Sequence, residues 1–442
     1  MTKWMWLIME KIAFLHMNDI HSHFEMLPDL YRQMMERKIA LEKQGYEVII
    51  VDIGDLCDRS HPLTEATLGQ VNAELLNAFQ VQYFTIGNNE GLGLQKQTLK
   101  HLYDHVQGEC VLGNLYDHKK LAKFAKKCAI YETNSGTKIG IIGLTAPYPM
   151  SYGPLGWEII DPLLSLQDIY QSYQHKADQF VLLSHLGYEV DVNIAKQAPW
   201  LAAIFGGHTH HLLPSGEIIN NVLLAAAGKH GKYFGEVLLN EQIAQVYPVS
   251  ADTSLEQKLQ LQGQKKLAEV QYGIVTHPLS KTEFTKMILD KLTVKFECDL
   301  GILNDGLCVK DVPKGDLTKA TLHELFPHPM HLLKVRLSGK ELKRLLFEID
   351  KNRNFLKKFA LRGFGFRGEV FGQVLFSEQF DLEEINEQKE YRILTVDHYE
   401  FIPFFPTIAY AGNNQIYMEK FLREQIAEII QDESFEGVIK HG

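Results

Sequence analysis

The sequence lacks the features of several protein classes. Its five cysteines, Cys57, Cys110, Cys128, Cys298 and Cys308, are odd in number and scattered without a framework spacing, which excludes a disulfide-stapled scaffold and predicts free thiols. No apolar run approaches the ~20 residues that a membrane-spanning helix needs. The nearest candidate, Trp4 to Met9 behind Lys3, is closed by Glu10 and Lys11 and has no small-residue cleavage site, so it is not read as a secretory leader. A cytoplasmic location and no membrane partner are expected by elimination. Basic excess is missing as well: 45 Lys and Arg stand against 55 Asp and Glu, and the net charge of −10 repels extended nucleic acid. There is no internal repeat or low-complexity tract. The composition, 45% hydrophobic and 23% charged, is that of an ordinary folded protein, and 442 residues exceed one core, which predicts two domains.

What is present in the first half is α/β construction: short runs rich in β-branched residues, each followed by a polar loop and often by a stretch of helical period. Strands are expected at Lys11 to His16, Glu47 to Asp52, Tyr83 to Ile86, Lys138 to Leu144, Gln179 to Ser184 and Leu201 to Phe205. Helices are expected at Leu27 to Gly45 and Gly69 to Phe79, and a hairpin turn at Asn134-Ser135-Gly136 predicts mixed sheets. From Ala251 to Gly273 the composition turns to Gln, Lys, Glu and Leu with no β-branched run, which reads as a helical linker. The expected division is a first domain over 1–250, a linker over 251–275 and a smaller α/β domain over 276–442. In the last, helices are expected at Glu283 to Phe296 and Gly339 to Asp350, and strands at Leu300 to Leu303 and Lys334 to Leu337.

Five segments place polar ligand types at or just past a strand's carboxyl end, where α/β sheets tend to build their sites. They are Asn18-Asp19-Ile20-His21, Asp52-Ile53-Gly54-Asp55, Gly87-Asn88-Asn89-Glu90, Ser184-His185-Leu186-Gly187 and Gly206-Gly207-His208-Thr209-His210. Any one alone reads as a turn or a hydrogen-bonded strand end. The five together give Asp19, His21, Asp55, Asn88, His185, His208 and His210 as metal ligands. Imidazole and carboxylate without thiolate suit manganese, zinc, iron or a similar divalent ion. Two ions need a shared ligand, and Asp55 is the natural bridge, with a hydroxide between the ions as nucleophile. Two divalent ions offset only by Asp19 and Asp55 favour an anionic phosphoryl group.

In this order the motifs Asp-x-His, Gly-Asp, Gly-Asn, Ser-His and Gly-His-x-His resemble the calcineurin-like metallophosphoesterases. The second half, through Leu303-Asn304-Asp305-Gly306, Lys314-Gly315-Asp316-Leu317-Thr318 and Leu337-Ser338-Gly339-Lys340-Glu341, is similar to the carboxy-terminal domain of 5′-nucleotidases and UDP-sugar hydrolases. The resemblance implies a four-layer α/β/β/α sandwich followed by a smaller α/β substrate-binding domain, a small phosphorylated substrate such as a nucleotide, and no obligate protein partner. It also implies one metal on Asp19, His21, Asp55 and His210 and the other on Asp55, Asn88, His185 and His208.

The sequence departs from that family in three places. Asn89 stands where the family has a catalytic histidine, and an amide cannot deliver a proton, a contribution typically worth ~10²–10⁴-fold. His23 is the candidate substitute, or a hydrogen-bond partner beside the ligands, so Asn88, Asn89 and His23 are the catalytic candidates. The family's phosphate-gripping arginine is missing after Asn304-Asp305-Gly306, which leaves Asn304, Arg362 and Arg367 to meet the anion. The late glycine loop is absent, and Phe366 and Tyr399 are the expected base-stacking rings. Three readings follow: a nucleotide phosphomonoesterase, a phosphodiesterase of cyclic nucleotides or nucleotide-sugars, and a metal-binding protein without turnover.

Overall fold

The strands that precede the ligand motifs are apolar on both faces, so each has to be covered on two sides. In β1 (Ile12–Met17) Ile12 and Phe14 enter one core, while Ala13, Leu15 and Met17 enter another. In β2 (Glu47–Asp52) Ile49 and Val51 divide from Val48 and Ile50 in the same way. A computed structural model describes residues 10–442 apart from 364, 379, 382–383, 413–414, 433–434, 436 and 441–442. The leader-like segment from Lys3 to Met9 lies outside the described residues.

Strands β1, β2 and β3 (Tyr83–Phe84) are parallel neighbours in a seven-stranded sheet. The antiparallel strand Tyr233–Leu238 flanks β1 on its other edge. Helix α1 (Leu27–Lys43) covers the outer face through Leu30, Met34 and Leu41. Two single turns, α2 (Asn88–Gly91) and α3 (Pro149–Tyr152), follow β3 and β4 (Lys138–Thr145). Strand β4 runs parallel to β5 (Gln179–His185), and β5 to β6 (Leu201–Gly206), in a six-stranded sheet. The two sheets pack face to face: Ile12, Phe14 and Val51 meet Ile141, Val181 and Phe205, with the Phe14 and Phe205 rings 5.0 Å apart. Helices α4 (Pro162–Tyr173) and α5 (Tyr188–Gln197) cover the far side through Leu166, Ile169, Ile194 and Ala195. The architecture is the four-layer sandwich, and the expected hairpin joins Ala129–Glu132 to β4.

The chain divides into two compact units, residues 1–261 and 262–442, and the division falls inside helix α6 (Thr253–Ala268). The end of the expected linker is not helical. Residues Gln271–Val275 form strand β7, which pairs with Gly315–Thr318 and with Ile439–Lys440. In the second unit, helices α7 (Lys281–Lys295) and α8 (Gly339–Leu356) both start at Ser-x-x-Glu capping boxes. Ser280 with Glu283, and Ser338 with Glu341, exchange side-chain and main-chain hydrogen bonds. Strands β8 (Leu300–Asn304), β9 (His331–Ser338) and β10 (Glu390–Val396) belong to a five-stranded sheet with β10 in the middle of the three. All five thiols are free, and no described helix is long and apolar enough to cross a membrane.

Three buried imidazoles contribute to the acid sensitivity of this fold. Burial pushes His16, His328 and His398 down to about 3. They stay neutral in the folded chain while the unfolded chain takes up their protons near the ordinary histidine value of ~6.5. Their contribution is therefore complete above that pH and is lost as pH falls toward 3, at up to ~1.4 kcal/mol per pH unit for each. Neither ring nitrogen of His398 has a hydrogen-bond partner among the described residues. His398→Leu is expected to lower the slope of unfolding free energy against pH, between pH 6.5 and 5, by about one proton's worth. Urea titrations across that range measure it, and an unchanged slope refutes it.

Candidate metal centre

Every ligand motif sits at or beyond the carboxyl end of a strand in one of the two facing sheets. The loops after β1 and β2 are zipped together by main-chain bonds from Asp19 N to Gly54 O at 3.0 Å, His21 N to Asp55 O at 2.9 Å and Ser22 N to Leu56 O at 3.0 Å. Gly54 is required there: its φ is +92°, and an added Cβ would lie 2.3 Å from the main-chain nitrogen of Gly87. Asp19, His21, Asp55, His208 and His210 all have positive φ, a conformation that costs non-glycine residues of order 1–3 kcal/mol each. Such strain persists where the surrounding structure fixes side-chain direction, and four of these five, Asp19, His21, Asp55 and His210, contribute to the convergent donor groups, while His208 Nε2 meets Tyr148 instead.

The donor atoms converge closely. His21 Nε2 lies 3.2 Å from His210 Nε2, 3.7 Å from Asp19 Oδ1 and 3.6 Å from Asp55 Oδ2. His185 Nε2 lies 3.4 Å from Asp55 Oδ2, and His210 Nε2 lies 3.5 Å from Asp19 Oδ1. Two sets, Asp19 with His21 and His210, and Asp19 with Asp55 and His185, each bring three donor atoms within 4.8 Å of one another. Asp55 stands between His21 and His185, as a bridging ligand must. The ring of His185 is oriented by its Nδ1 bond to the Ile53 carbonyl at 2.9 Å, which leaves Nε2 buried beside Asp55 with no well-formed hydrogen bond among the described residues. Asn88 Oδ1 is likewise buried with no hydrogen-bond partner among the described residues. Buried polar atoms normally find partners, so two such atoms beside two buried carboxylates fit a bound cation.

Electrostatics agree. Burial works against the charged form of His185, but Asp55 outweighs it and raises the imidazole to about 10. Burial likewise opposes ionisation of Asp55, yet His185 and His21 hold its carboxyl below the usual carboxylate range. Asp19 is also held low against burial, by His21 and His185. Its carboxylate accepts from Asn18 Nδ2 at 2.7 Å and from the main-chain nitrogen of His208 at 3.1 Å. The centre thus keeps two buried negative charges that protons offset when no metal does. His208 differs: burial and the charge on His185 push it down to about 4, so its ring is neutral and ready to ligate.

Asn89 does not reach outward. Its amide nitrogen lies 2.9 Å from His21 Nδ1 and donates to the Cys57 carbonyl at 2.8 Å, while its main-chain nitrogen donates to Asp55 Oδ1 at 2.8 Å. It holds ligands in place. His23 is partly exposed, bonds Glu25 at 2.6 Å and stacks on His230 with centroids 3.9 Å apart. His230 also meets the rings of His21 at 5.8 Å and His210 at 6.4 Å.

Three residues of this site escape sequence reasoning: His230, Tyr148 and Glu90. Tyr148 Oη lies 2.9 Å from His208 Nε2, and the buried carboxylate of Glu90 accepts from Asp55 N, Gly87 N and Cys57 N. Only Glu90 left a signal, as the fourth residue of a Gly-Asn-Asn-Glu loop.

The sequence matches the calcineurin-like phosphoesterase family over residues 12–212 and the 5′-nucleotidase C-terminal domain over residues 264–400. It is 31% identical to the metallophosphoesterase YunD of Bacillus subtilis (strain 168), across 95% of this chain and 98% of that protein. The chain belongs to the calcineurin-like metallophosphoesterases. This phosphoesterase is also 28% identical to a probable 5′-nucleotidase of Treponema pallidum (strain Nichols) over 50% of this chain and 40% of that protein. Its fold matches a putative 5′-nucleotidase of Staphylococcus aureus with a TM-score of 0.64 at 14% identity, over 98% and 99% of the two chains.

In the second unit of the phosphoesterase, three of the expected substrate contacts are buried side chains. Asn304 is fully buried: its amide donates to the Phe371 carbonyl and its oxygen accepts from Tyr399 Oη at 3.1 Å, so its polar groups are spent inside the fold. Tyr399 is fully buried and stacked on Phe405 at 4.6 Å, which leaves no face for a base. Phe366 is buried and stacked on His328 at 4.9 Å. These rings are buried beside aromatic partners, His328 against Phe366 and the nearby Phe405 against Tyr399. Arg362 and Arg367 are exposed.

Proposed function

We propose that this phosphoesterase hydrolyses small phosphate esters, most simply nucleotide monoesters, with two divalent ions of the manganese, zinc or iron type. The observation that carries this reading is the convergence of the buried Asp19 and Asp55 carboxylates with His21, His210 and His185, with Asn88 Oδ1 buried and lacking a hydrogen-bond partner among the described residues. Asp19, His21, Asp55 and His210 would hold one ion, and Asp55, Asn88, His185 and His208 the other. Such a pair supplies the Lewis acidity that makes a water nucleophilic and offsets charge on the phosphoryl oxygens. The chain's residues do the rest: Asp55 fixes the spacing, Ile53 aims His185, and Asn89 braces His21 and the Asp55 loop. Asn89 favours a second reading, because its amide is committed to His21 and Cys57 and supplies no proton, which suits diesters with better leaving groups.

Phosphate release from nucleoside monophosphates, cyclic nucleotides and nucleotide-sugars with added Mn²⁺ tests this, comparing the intact protein with His208→Ala. Release that falls at least ~100-fold in the variant supports the reading, and the preferred ester class decides between monoesters and diesters. A metal-loaded wild type that releases nothing from any of them sinks it.

A further inference from the structure

Tyr148 occupies the rim of the metal centre, and neither the ligand set nor the loops that brace it explain its position. It follows β4 and precedes the single turn α3, and its carbonyl accepts from Ser151 N at 3.0 Å and Tyr152 N at 2.8 Å, which fixes its backbone. Tyr152, four residues on, is fully buried and lies against Gly91 at the end of α2, where an added Cβ would stand 2.2 Å from its hydroxyl. The turn is therefore keyed to the segment that carries Asn88 and Asn89. From that base the ring of Tyr148 packs on the core of Ala13, Leu15 and Met17, and its hydroxyl reaches His208 Nε2 at 2.9 Å.

In the metal-free chain the phenol and His208 satisfy each other. Were His208 to hold an ion through Nε2, that lone pair would be closed to the phenol hydrogen, and the hydroxyl, on a backbone fixed by its buried anchor, would have a hydrogen to donate elsewhere. The amide of Asn89 is turned onto His21 and Cys57. We propose that Tyr148 is a catalytic residue that donates a hydrogen bond to the ester oxygen of the leaving group, the contact that Asn89 does not make. The inference rests on the hydrolase reading above. In the reaction the water oxygen forms the new P–O bond and the old P–O pair departs on the ester oxygen. The phenol hydrogen bond stabilises the charge growing there, and that oxygen then takes a proton from solvent, giving phosphate and alcohol.

A hydrogen bond to a developing anion matters most when the leaving group is poor. Tyr148→Phe removes the hydroxyl and keeps the ring, so the Mn²⁺-loaded variant is compared with wild type on an alkyl phosphate and on p-nitrophenyl phosphate. Mn²⁺ affinity of both proteins is measured by calorimetry. The expected result is a ~10–100-fold fall in kcat on the alkyl ester, a change below about threefold on the aryl ester, and unchanged Mn²⁺ affinity. Equal losses on both esters, no loss on either, or weakened Mn²⁺ binding that accounts for the loss overturns the role of Tyr148 while leaving the hydrolase reading intact. A wild type that binds Mn²⁺ and cleaves neither ester overturns the hydrolase reading, and this inference with it.

Discussion

Asp55→Asn is expected to lower kcat/KM by ~10³-fold or more and to weaken binding of at least one metal ion, with the fold retained. Asparagine isolates the charge. Asp55 has a φ of +53°, a conformation that asparagine tolerates about as well as aspartate, so the loop keeps its path. One side-chain oxygen still accepts the Asn89 main-chain nitrogen, which lies 2.8 Å from Asp55 Oδ1. What changes is the second position, now an amide nitrogen where Oδ2 stood 3.6 Å from His21 Nε2 and 3.4 Å from His185 Nε2. An amide presents one acceptor, not two, and cannot bridge two cations. In the metal-free variant His185 also loses the partner that holds it near 10 against its burial, so its proton leaves in a lower pH range. Metal content by elemental analysis, set beside circular dichroism and kcat/KM, separates a broken bridge from a broken fold. A variant that keeps both ions and most of its activity would remove Asp55 from the bridging position.

The candidate ligand cluster was legible because its information is local. A strand end, a glycine that permits a tight turn and an Asp, Asn or His are all present within four or five residues, and five such segments agree on one place. Boundaries followed closely where strands were long, as at Glu47–Asp52, and less well at β3, which is two residues long where four were expected. What sequence hid is whatever depends on distant partners. β7 is a strand because Gly315–Thr318 and Ile439–Lys440 pair with it, and its own Gln-Tyr-Gly-Ile-Val shows no alternation to announce that. Asn304 and Phe366 look like ligand contacts in one dimension, yet Phe371 and His328, distant along the chain, lie against them in the buried interior. His230 comes from a segment with no metal motif, and only folding stacks it on His23. Asn89 was read as a lost acid, whereas in the fold its amide and main-chain nitrogen brace His21, Cys57 and Asp55.

Glu90→Ala is expected to cost more stability than the loss of any single ligand, of order 3–6 kcal/mol, because one buried carboxylate organises two ligand loops at once. Glu90 is 1% exposed. One of its oxygens accepts from Asp55 N at 3.0 Å and Gly87 N at 2.9 Å, and the other from Cys57 N at 2.8 Å. Removing it strands three buried N–H donors at ~1–3 kcal/mol each, partly relieved by relaxation or an entering water. At ~2–4 °C per kcal/mol for a unit of this size, the melting midpoint falls by ~10 °C or more. Metal affinity should fall as well, since the same bonds hold Asp55 and the residue before Asn88 in register, and partners that orient ligands are typically worth ~10–100-fold in affinity. Glu90→Gln is the sharper control. It keeps the volume but faces the three donors with an amide that can accept at only one end, so it should recover only part of the loss. If thermal unfolding of Glu90→Ala matches wild type within ~2 °C, relaxation or water satisfies those donors, and the loops after β2 and β3 are held instead by their own main-chain bonds.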